Sequence, residues 1–295
     1  MILRILAAWV CLAAAPSLLP AQGPDWGAVE AAIGRTGTPQ AGGLRRFGFP
    51  RTDLRVTIGD LEIRPALALG GWVTFAPRGD SAVLMGDLVL TAEELGPVIV
   101  RLQKGGIGQT AIHHHLVGES PRVLYVHVHG HGNPVALART IHAAVALTRI
   151  PPPSAGAGDA AAIALDTAAL ARTLGASGRV TGGVFQVAIP RREVIRENGW
   201  EVPATMGLGT VINFQPMNGG KAAITGDFVL IGAEVNPVMR ILSEHGITPT
   251  SLHNHLLKEQ PRLFFLHFWG VDDPQALARG LAAALDRTNS VRTAR

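Results

Sequence analysis

The sequence predicts an α+β fold of two tandem repeats, each an antiparallel sheet with two helices on one face, packed as a pseudo-two-fold pair. An internal repeat is the first observation behind this prediction. Residues 84–139 and 224–279 align without a gap at a constant offset of 140 and are identical at 24 of 56 positions. The second observation is that each unit mixes strand-like and helix-like patterns of apolar residues, which favours helices packed on a sheet.

The repeat divides the chain into a first repeat unit at 26–148 and a second repeat unit at 166–290. The segment between them, 149–165, is rich in Pro, Gly and Ala, a composition typical of linkers. Each unit is large enough to bury its own hydrophobic core. We therefore expect two copies of one design rather than two unrelated domains.

Strand and helix patterns follow one another in a fixed order within the first unit. Short β-branched and apolar runs predict strands, and turn residues separate them. The predicted strands are 53–59, 72–77, 82–90, 109–116 and 122–130, the last two forming a hairpin around the turn 117–121. Thr91 and Glu94 form a capping-box pattern ahead of a helix that ends near Gly105. Asn133 and Pro134 supply the start of a second helix.

The N-terminal residues are expected to be removed from the mature protein. Residues 1–21 combine Arg4 with an apolar run and a small-residue ending, which predicts a secretory signal peptide. The run is too short to span a bilayer, so we expect no transmembrane segment in the mature chain. The chain's single Cys, Cys11, lies inside this peptide. The mature protein is therefore expected to be periplasmic or secreted and to lack cysteine.

Composition excludes several classes of protein. Hydrophobic residues make up 47% and charged residues 16% of the chain, so a globular protein is expected rather than a disordered one. Basic residues exceed acidic ones by only 26 to 22, with no basic arm, and we expect no nucleic-acid partner. One Cys excludes a disulfide framework and a thiolate metal cluster. A metal would have to be bound by His, Asp or Glu.

Histidines concentrate on the predicted hairpin. If Leu116 pairs with Arg122, the odd-numbered residues of both strands point to one face. The candidate metal ligands on that face and in the adjoining turn are His113, His115, His127, His129 and Glu119. Such a set of nitrogen and oxygen donors suits a divalent transition metal: Zn, Fe, Mn or Cu.

The second repeat keeps the core of this pattern. His253, His255, Glu259 and His267 occupy the positions of His113, His115, Glu119 and His127, whereas His129 is replaced by Trp269. This duplication favours metal binding over an incidental role for the histidines. We expect one centre per unit, or one active and one degenerate centre. Glu119 and Glu259 are also the candidate catalytic bases.

Other repeated polar residues leave alternatives open. Asp87 and Asp227 could accept hydrogen bonds from metal-bound imidazoles, or could end a strand. Arg122 and Arg262 could contact substrate, or could pair with the two turn carboxylates in a metal-free polar cluster that holds the units together.

Two further pairs have the same ambiguity. Arg51 and Arg191 could bind an anionic substrate or cover a sheet edge. Glu94 and Glu234 are interpreted chiefly as helix-capping residues.

The hairpins also carry a family resemblance. The segments HHHLVGESPRVLYVHVHG and LHNHLLKEQPRLFFLHFWG, each followed by a Pro-led ALAR helix, resemble the LppY/LpqO family of exported bacterial proteins, a domain of unknown function. The resemblance covers nearly all of the mature chain and implies export, without an established activity. The chain departs from the lipoprotein members because small residues do not precede Cys11.

These observations predict an exported metal-binding protein. We expect a metalloenzyme, a hydrolase or an oxidoreductase, whose His/Glu-ligated metal activates water or an unknown small-molecule substrate. Two alternatives stay open: a metal-binding or delivery protein of the cell envelope, and a metal-free envelope interaction protein. If the units pack face to face, the two histidine clusters would lie in the cleft between them.

Overall fold

The computed structural model describes residues 23–153 and 163–293. The predicted signal peptide, 1–21, and the middle of the linker lie outside the described residues. No helix within the described ranges is long and apolar enough to cross a membrane. The helices are α1 (Trp26–Ile33), α2 (Pro65–Ala68), α3 (Ala92–Lys104), α4 (Pro134–Val145), α5 (Thr167–Leu174), α6 (Gly232–Glu244) and α7 (Pro274–Leu285).

The strands fall into two groups that correspond to the two repeats. Those of the first repeat are β1 (Thr38–Pro39), β2 (Arg45–Pro50), β3 (Thr57–Ile58), β4 (Leu61–Glu62), β5 (Gly70–Arg78), β6 (Ser81–Leu90), β7 (Gly108–His113) and β8 (Leu124–Gly132). Those of the second are β9 (Gly178–Thr181), β10 (Val184–Pro190), β11 (Arg196–Glu197), β12 (Trp200–Glu201), β13 (Gly209–Pro216), β14 (Ala222–Ile231), β15 (Thr248–His253), β16 (Glu259–Gln260) and β17 (Leu263–Asp272).

Each repeat builds a six-stranded antiparallel sheet with the same strand order. Sheet 1 runs β7-β8-β6-β5-β2-β1 and sheet 2 runs β15-β17-β14-β13-β10-β9. This equivalence confirms the predicted α+β fold of two similar repeats. One predicted strand, 53–59, is wrong: only Thr57 and Ile58 are extended, and they pair with β4 outside the main sheet. The neighbour of β5 in sheet 1 is β2 instead.

Capping residues define the helices as the sequence predicts. The Thr91 N–H donates to Glu94 Oε2 at 2.9 Å at the start of α3, and Asn133 Oδ1 accepts from the Ala136 N–H at 3.0 Å at the start of α4. Pro134 occupies the first turn of α4, where its missing N–H costs no hydrogen bond.

The number of helices on each sheet differs from the prediction of two. A third helix, α1 in the first repeat and α5 in the second, joins the same layer. Asp25 caps the N-terminus of α1, and Gly34, with φ 72°, ends it after only eight residues. Such a short helix shows little periodicity, but its Asp and Gly boundaries are the signals that mark it.

The molecule has four layers, with the sheets in the middle and the helices outside. On β8, Val126 and Val128 pack towards the helices, while the odd-numbered side chains face sheet 2. Apolar residues of the two sheets also pack together on these faces, as in the cluster that contains Met85 of β6 and Val229 and Phe265 of the second repeat. The two repeats therefore pack face to face, through the surfaces that carry the histidines.

Two repeated glycines are required because neighbouring strands approach closely. A Cβ at Gly86 would overlap the carbonyl oxygen of Trp72, and one at Gly226 would overlap that of Val211. We expect Gly86→Ala to lower the free energy of unfolding by about 1–3 kcal/mol, measured by urea denaturation. In Gly96→Ala, the added methyl meets nothing within 4 Å on helix α3, and that variant should be stabilised by about 0.5–1 kcal/mol. Equal effects at both positions would contradict the packing argument.

Candidate metal centre

The hairpin β7–β8 places its histidines in the predicted register. His113 pairs with Tyr125 and Ala111 pairs with His127, so the odd-numbered residues share the face that meets sheet 2. The strand β7 ends at His113, and His115 lies in the connection that follows rather than on the strand, contrary to the prediction. The two imidazoles nevertheless stay together, with 3.1 Å between their Nε2 atoms.

The second hairpin, β15–β17, repeats this arrangement. Ser251 pairs with His267 and His253 with Phe265. The strand β15 ends at His253, and His255 lies beyond that end. The His-X-His pattern in each repeat therefore spans the end of an edge strand.

Residues between the paired histidines fasten the two hairpins together. His114 Nε2 lies 2.8 Å from the carbonyl oxygen of Thr250, and the Thr250 hydroxyl donates to the carbonyl oxygen of His115 at 2.7 Å. In the opposite direction, the side-chain amide of Asn254 donates to the carbonyl oxygen of Thr110 at 2.9 Å. These reciprocal contacts relate the hairpins by a pseudo-two-fold axis.

Six imidazoles meet at this axis. We call them the six-histidine cluster: His113, His115, His127, His253, His255 and His267. Its shortest ring contacts all join different repeats, with centroid distances of 3.7 Å for His113 to His253, 3.8 Å for His115 to His267 and 3.7 Å for His127 to His255. Within the first repeat, His113 lies 4.8 Å from His127. The histidines thus form one joint cluster, whereas the sequence predicted separate centres.

Backbone carbonyls orient several of these rings. His127 Nδ1 lies 3.3 Å from the Gly86 oxygen, His267 Nδ1 lies 2.8 Å from the Gly226 oxygen, and His255 Nδ1 lies 3.2 Å from the Gly207 oxygen. Because a carbonyl only accepts, each Nδ1 carries the proton and each Nε2 keeps a free lone pair. These three Nε2 atoms are buried and have no hydrogen-bond partner among the described residues.

Two carboxylates lie beside the imidazoles. Asp87 Oδ2 is 3.5 Å from His115 Nε2, and Asp227 Oδ2 is 3.4 Å from His255 Nε2. Burial raises the pKa of both aspartates, and the charge of Asp227 raises that of Asp87 further. Asp87 pairs across neighbouring strands with His127, and Asp227 pairs with His267. In each repeat this pairing brings the aspartate of the Gly-Asp sequence close to the cluster.

Burial keeps the imidazoles neutral. It lowers the pKa of all six, and the charges of neighbouring rings lower most of them further. For His267 the pKa falls to about 3, although Asp227 acts in the opposite direction. Neutral imidazole is the form that ligates metal ions.

Three sets of side chains bring their ligand atoms within 4.8 Å of one another. They are His113 with His253 and His267, His127 with His253 and His255, and Asp87 with His113 and His115. Two of the three sets draw on both repeats. The donor set, rich in imidazole with a carboxylate, fits Zn, Fe, Mn or Cu.

The predicted ligands Glu119 and Glu259 belong to none of these sets. The pairing of Glu259 with Glu197 places it in the small sheet β12-β11-β16. Glu259 Oε1 accepts from the Leu263 N–H at 3.0 Å and lies 3.3 Å from Arg262 Nη1, so it stabilises the turn.

The equivalent turn of the first repeat differs in its contacts. Glu119 is buried, and neither of its carboxylate oxygens has a hydrogen-bond partner among the described residues. The closest approach of Arg122, from its Nε to Glu119 Oε1, is 4.0 Å. The Arg and Glu pairs expected in a metal-free polar cluster therefore lie in the turns, apart from the imidazoles.

His129 also lies outside the six-histidine cluster. Its Nε2 is 3.1 Å from Glu197 Oε2, on strand β11 of the other repeat. The loss of this histidine in the second repeat, where Trp269 replaces it, therefore leaves the cluster intact.

Sequence reasoning missed two aromatic residues that pack on the cluster. The Tyr125 ring stacks on His115 and the Phe265 ring on His255, each with 3.4 Å between centroids. Both lie at odd-numbered positions of their hairpins, separated by the offset of 140, so the same alternation rule could have identified them. The Tyr125 hydroxyl donates to the Ala68 carbonyl at 2.9 Å, which fixes its ring.

Comparison with known proteins places both repeats in one family. A family model described as Domain of Unknown Function (DUF1259) matches the chain twice, at residues 27–147 and 168–287. A solved structure, that of the trimeric bacterial microcompartment shell protein PduB, matches with a TM-score of 0.24 and 12% identity over 86% of this chain and 95% of that chain. No curated protein matches the chain.

Proposed function

Because the chain belongs through both of its repeats to the DUF1259 family, whose function is unknown, we propose a function from its site. We infer that it is an exported protein that binds a divalent transition metal at the six-histidine cluster and uses it as a metalloenzyme. The LppY/LpqO resemblance of its hairpins supports export, as does the composition of residues 1–21. N-terminal sequencing of exported protein tests this part of the proposal. We expect the mature chain to begin near residue 22.

One observation is the main support for metal binding: several buried ring nitrogens lie close together without hydrogen-bond partners among the described residues. The Nε2 atoms of His127, His253, His255 and His267 are buried and without hydrogen-bond partners among the described residues. A buried polar group without a partner costs roughly 1–3 kcal/mol. A metal ion would satisfy several of these nitrogens at once, whereas a metal-free interaction protein would retain the whole cost.

The chain's own residues suit a catalytic metal. When bound, such an ion supplies a Lewis acid that lowers the pKa of a coordinated water. Asp87 and Asp227, rather than Glu119 and Glu259, lie where a carboxylate can hold or release a proton beside it. The side chain of His115 is 16% exposed and that of Asp227 is 15% exposed, so solvent reaches the edge of the cluster. We therefore propose a small-molecule substrate, with either hydrolytic or oxidative chemistry.

Burial of the ligands favours the enzyme over a delivery protein. His127, His255 and His267 are each 6% exposed or less. Transfer of an ion to an acceptor requires ligands that can leave the site one by one, and ligands buried between two sheets exchange slowly. This observation favours an ion that stays bound.

Metal analysis of the protein purified without an affinity tag tests the proposal. We expect at least one equivalent of a transition metal in the wild type, and a lower metal content in the double variant His253→Ala/His255→Ala, because two ligands are removed. Metal-free wild-type protein should regain thermal stability when the ion is returned, by about 4 kcal/mol at a free ion concentration of 1,000 times Kd.

His131→Ala is the matched control, since His131 lies on the same strand as His127 but is exposed and bonded to Ser81. It should keep the metal content of the wild type. Less than a tenth of an equivalent in the wild type, with no stabilisation by Zn²⁺, Mn²⁺, Fe²⁺ or Cu²⁺, would rule out metal binding.

A further inference from the structure

We propose that the six-histidine cluster holds two metal ions and that the repeats exchange one ligand each. One ion would be bound by His113 and His115 with His267 of the second repeat. The other would be bound by His253 and His255 with His127 of the first repeat. This inference rests on the proposed metal-binding function and deepens it.

Ring positions support the exchange of ligands. The strand histidine of each repeat lies against the His-X-His pair of the other repeat, with His127 3.7 Å from His255 and His267 3.8 Å from His115. The set His127, His253 and His255 already brings one ligand atom from each residue within 4.8 Å of the others. By the pseudo-two-fold axis, the corresponding set would be His267, His113 and His115. Of these residues, His113 and His115 lie in one observed set with Asp87, and His113 and His267 lie in another with His253.

The number of donors supports two ions rather than one. Six imidazoles and two aspartates are eight donor groups, whereas a zinc site usually takes four ligands. Divided by the pseudo-two-fold axis, they supply three nitrogens to each ion and place one carboxylate beside it. Asp87 approaches His115 in one half, at 3.5 Å, and Asp227 approaches His255 in the other, at 3.4 Å.

The two aspartates also compensate part of the charge of two divalent ions. Ions of two-metal sites lie about 3.5–4 Å apart, and their repulsion requires negative groups close by. One carboxylate per half, Asp87 beside His115 and Asp227 beside His255, supplies part of this charge. His113 and His253 stack across the axis at 3.7 Å, so the two halves adjoin.

Such a centre would join the repeats through metal bonds. Each ion would have ligands in both sheets, although only the linker at 149–165 connects the repeats along the chain. Binding of the ions would then oppose separation of the two repeats.

Titration of metal-free wild-type protein with Zn²⁺ measures the stoichiometry without any substitution. We expect two ions per chain after removal of excess metal, and a spin-coupled spectrum when Mn²⁺ replaces Zn²⁺. One ion per chain would overturn the two-ion proposal and leave the proposed metal-binding function standing. No bound ion would overturn both.

Two triple variants test the exchange. His127→Ala combined with His253→Ala/His255→Ala removes ligands of one ion only, and this variant should retain one ion per chain. His267→Ala combined with the same double substitution removes ligands of both ions, and it should retain none. If each repeat instead bound its own ion, the first variant would retain none and the second would retain one.

The comparison holds the number of removed histidines constant, so a general loss of packing should affect both triple variants alike. Circular dichroism of the metal-free proteins checks that each is folded. If either variant is unfolded, the same substitutions to Gln, which keep a polar side chain of similar length, provide the comparison. Equal metal content in the two folded variants would overturn the exchange of ligands.

Discussion

Arg51→Met is expected to lower the free energy of unfolding by about 3–5 kcal/mol, because it breaks a buried ion pair and leaves a buried carboxylate uncompensated. Arg51 is fully buried, and its Nη1 donates to Glu94 Oε2 at 2.6 Å and to the Val89 carbonyl at 2.9 Å. Its Nη2 and Nε donate to Asp53 at 2.8 and 2.9 Å, and Nη2 also donates to Glu94 Oε1 at 3.2 Å. Urea denaturation of the wild type and the variant measures the difference.

Arg55→Met provides the matched control. Arg55 also pairs with a carboxylate, that of Glu62 at 2.8 Å, but both side chains are largely exposed. An exposed pair contributes between about 0 and 1 kcal/mol, so this variant should stay close to the wild type. A similar loss in both variants would contradict the role of burial.

Arg191 repeats the contacts of Arg51, and these contacts indicate the role of both side chains. In the second repeat, Arg191 bonds Glu234 at 2.6 Å, the Val229 carbonyl and Glu193. Each guanidinium ties a strand end to a capping glutamate inside its own repeat. Of the two uses that the sequence left open, this contact supports the structural one.

Stability of the metal-free protein is expected to fall steeply as the pH is lowered from 7 to 5. Each buried imidazole of the six-histidine cluster has a lowered pKa, so the native state binds fewer protons than the unfolded chain below pH 6.5. Stability is therefore lost as the pH falls towards the folded pKa, which is about 3 for His267. Each such group contributes about 1.4 kcal/mol per pH unit in this range.

The two aspartates act in the opposite direction. Their raised pKa means that the native state takes up protons first, so they add stability as the pH falls through the folded pKa. Six imidazoles outnumber two carboxyl groups, and the net effect is a loss. In His267→Gln the dependence should be shallower by about 1.4 kcal/mol per pH unit between pH 6 and 5.

Thermal melting of metal-free protein between pH 5 and 7 checks this prediction. A melting temperature that is constant over that interval would show that the imidazoles are not held neutral in the native state. Saturating metal should raise the melting temperature across this interval but keep the same dependence on pH, because the imidazoles of the native state are unprotonated with or without the ion.

Much of the site could be predicted from local sequence patterns, because such patterns depend only on residues that are close together in the chain. Alternation along a strand placed His113 and His127 on one face, and the turn length set their register. Capping residues marked α3 and α4. The assignment of Glu119 as a ligand went beyond such rules, because the direction of a turn depends on what the turn packs against.

The amino-acid sequence is enough to predict two repeats of one α+β design, each with the same three histidines on one face of a hairpin. Those properties follow from identity at a constant offset and from the two-residue period of a strand. The contacts of His127 with His255 and of His267 with His115 depend instead on how the two sheets pack in the folded protein. The two sheets bury the faces that carry the histidines against each other, so these contacts join residues that are 128 and 152 positions apart in the chain.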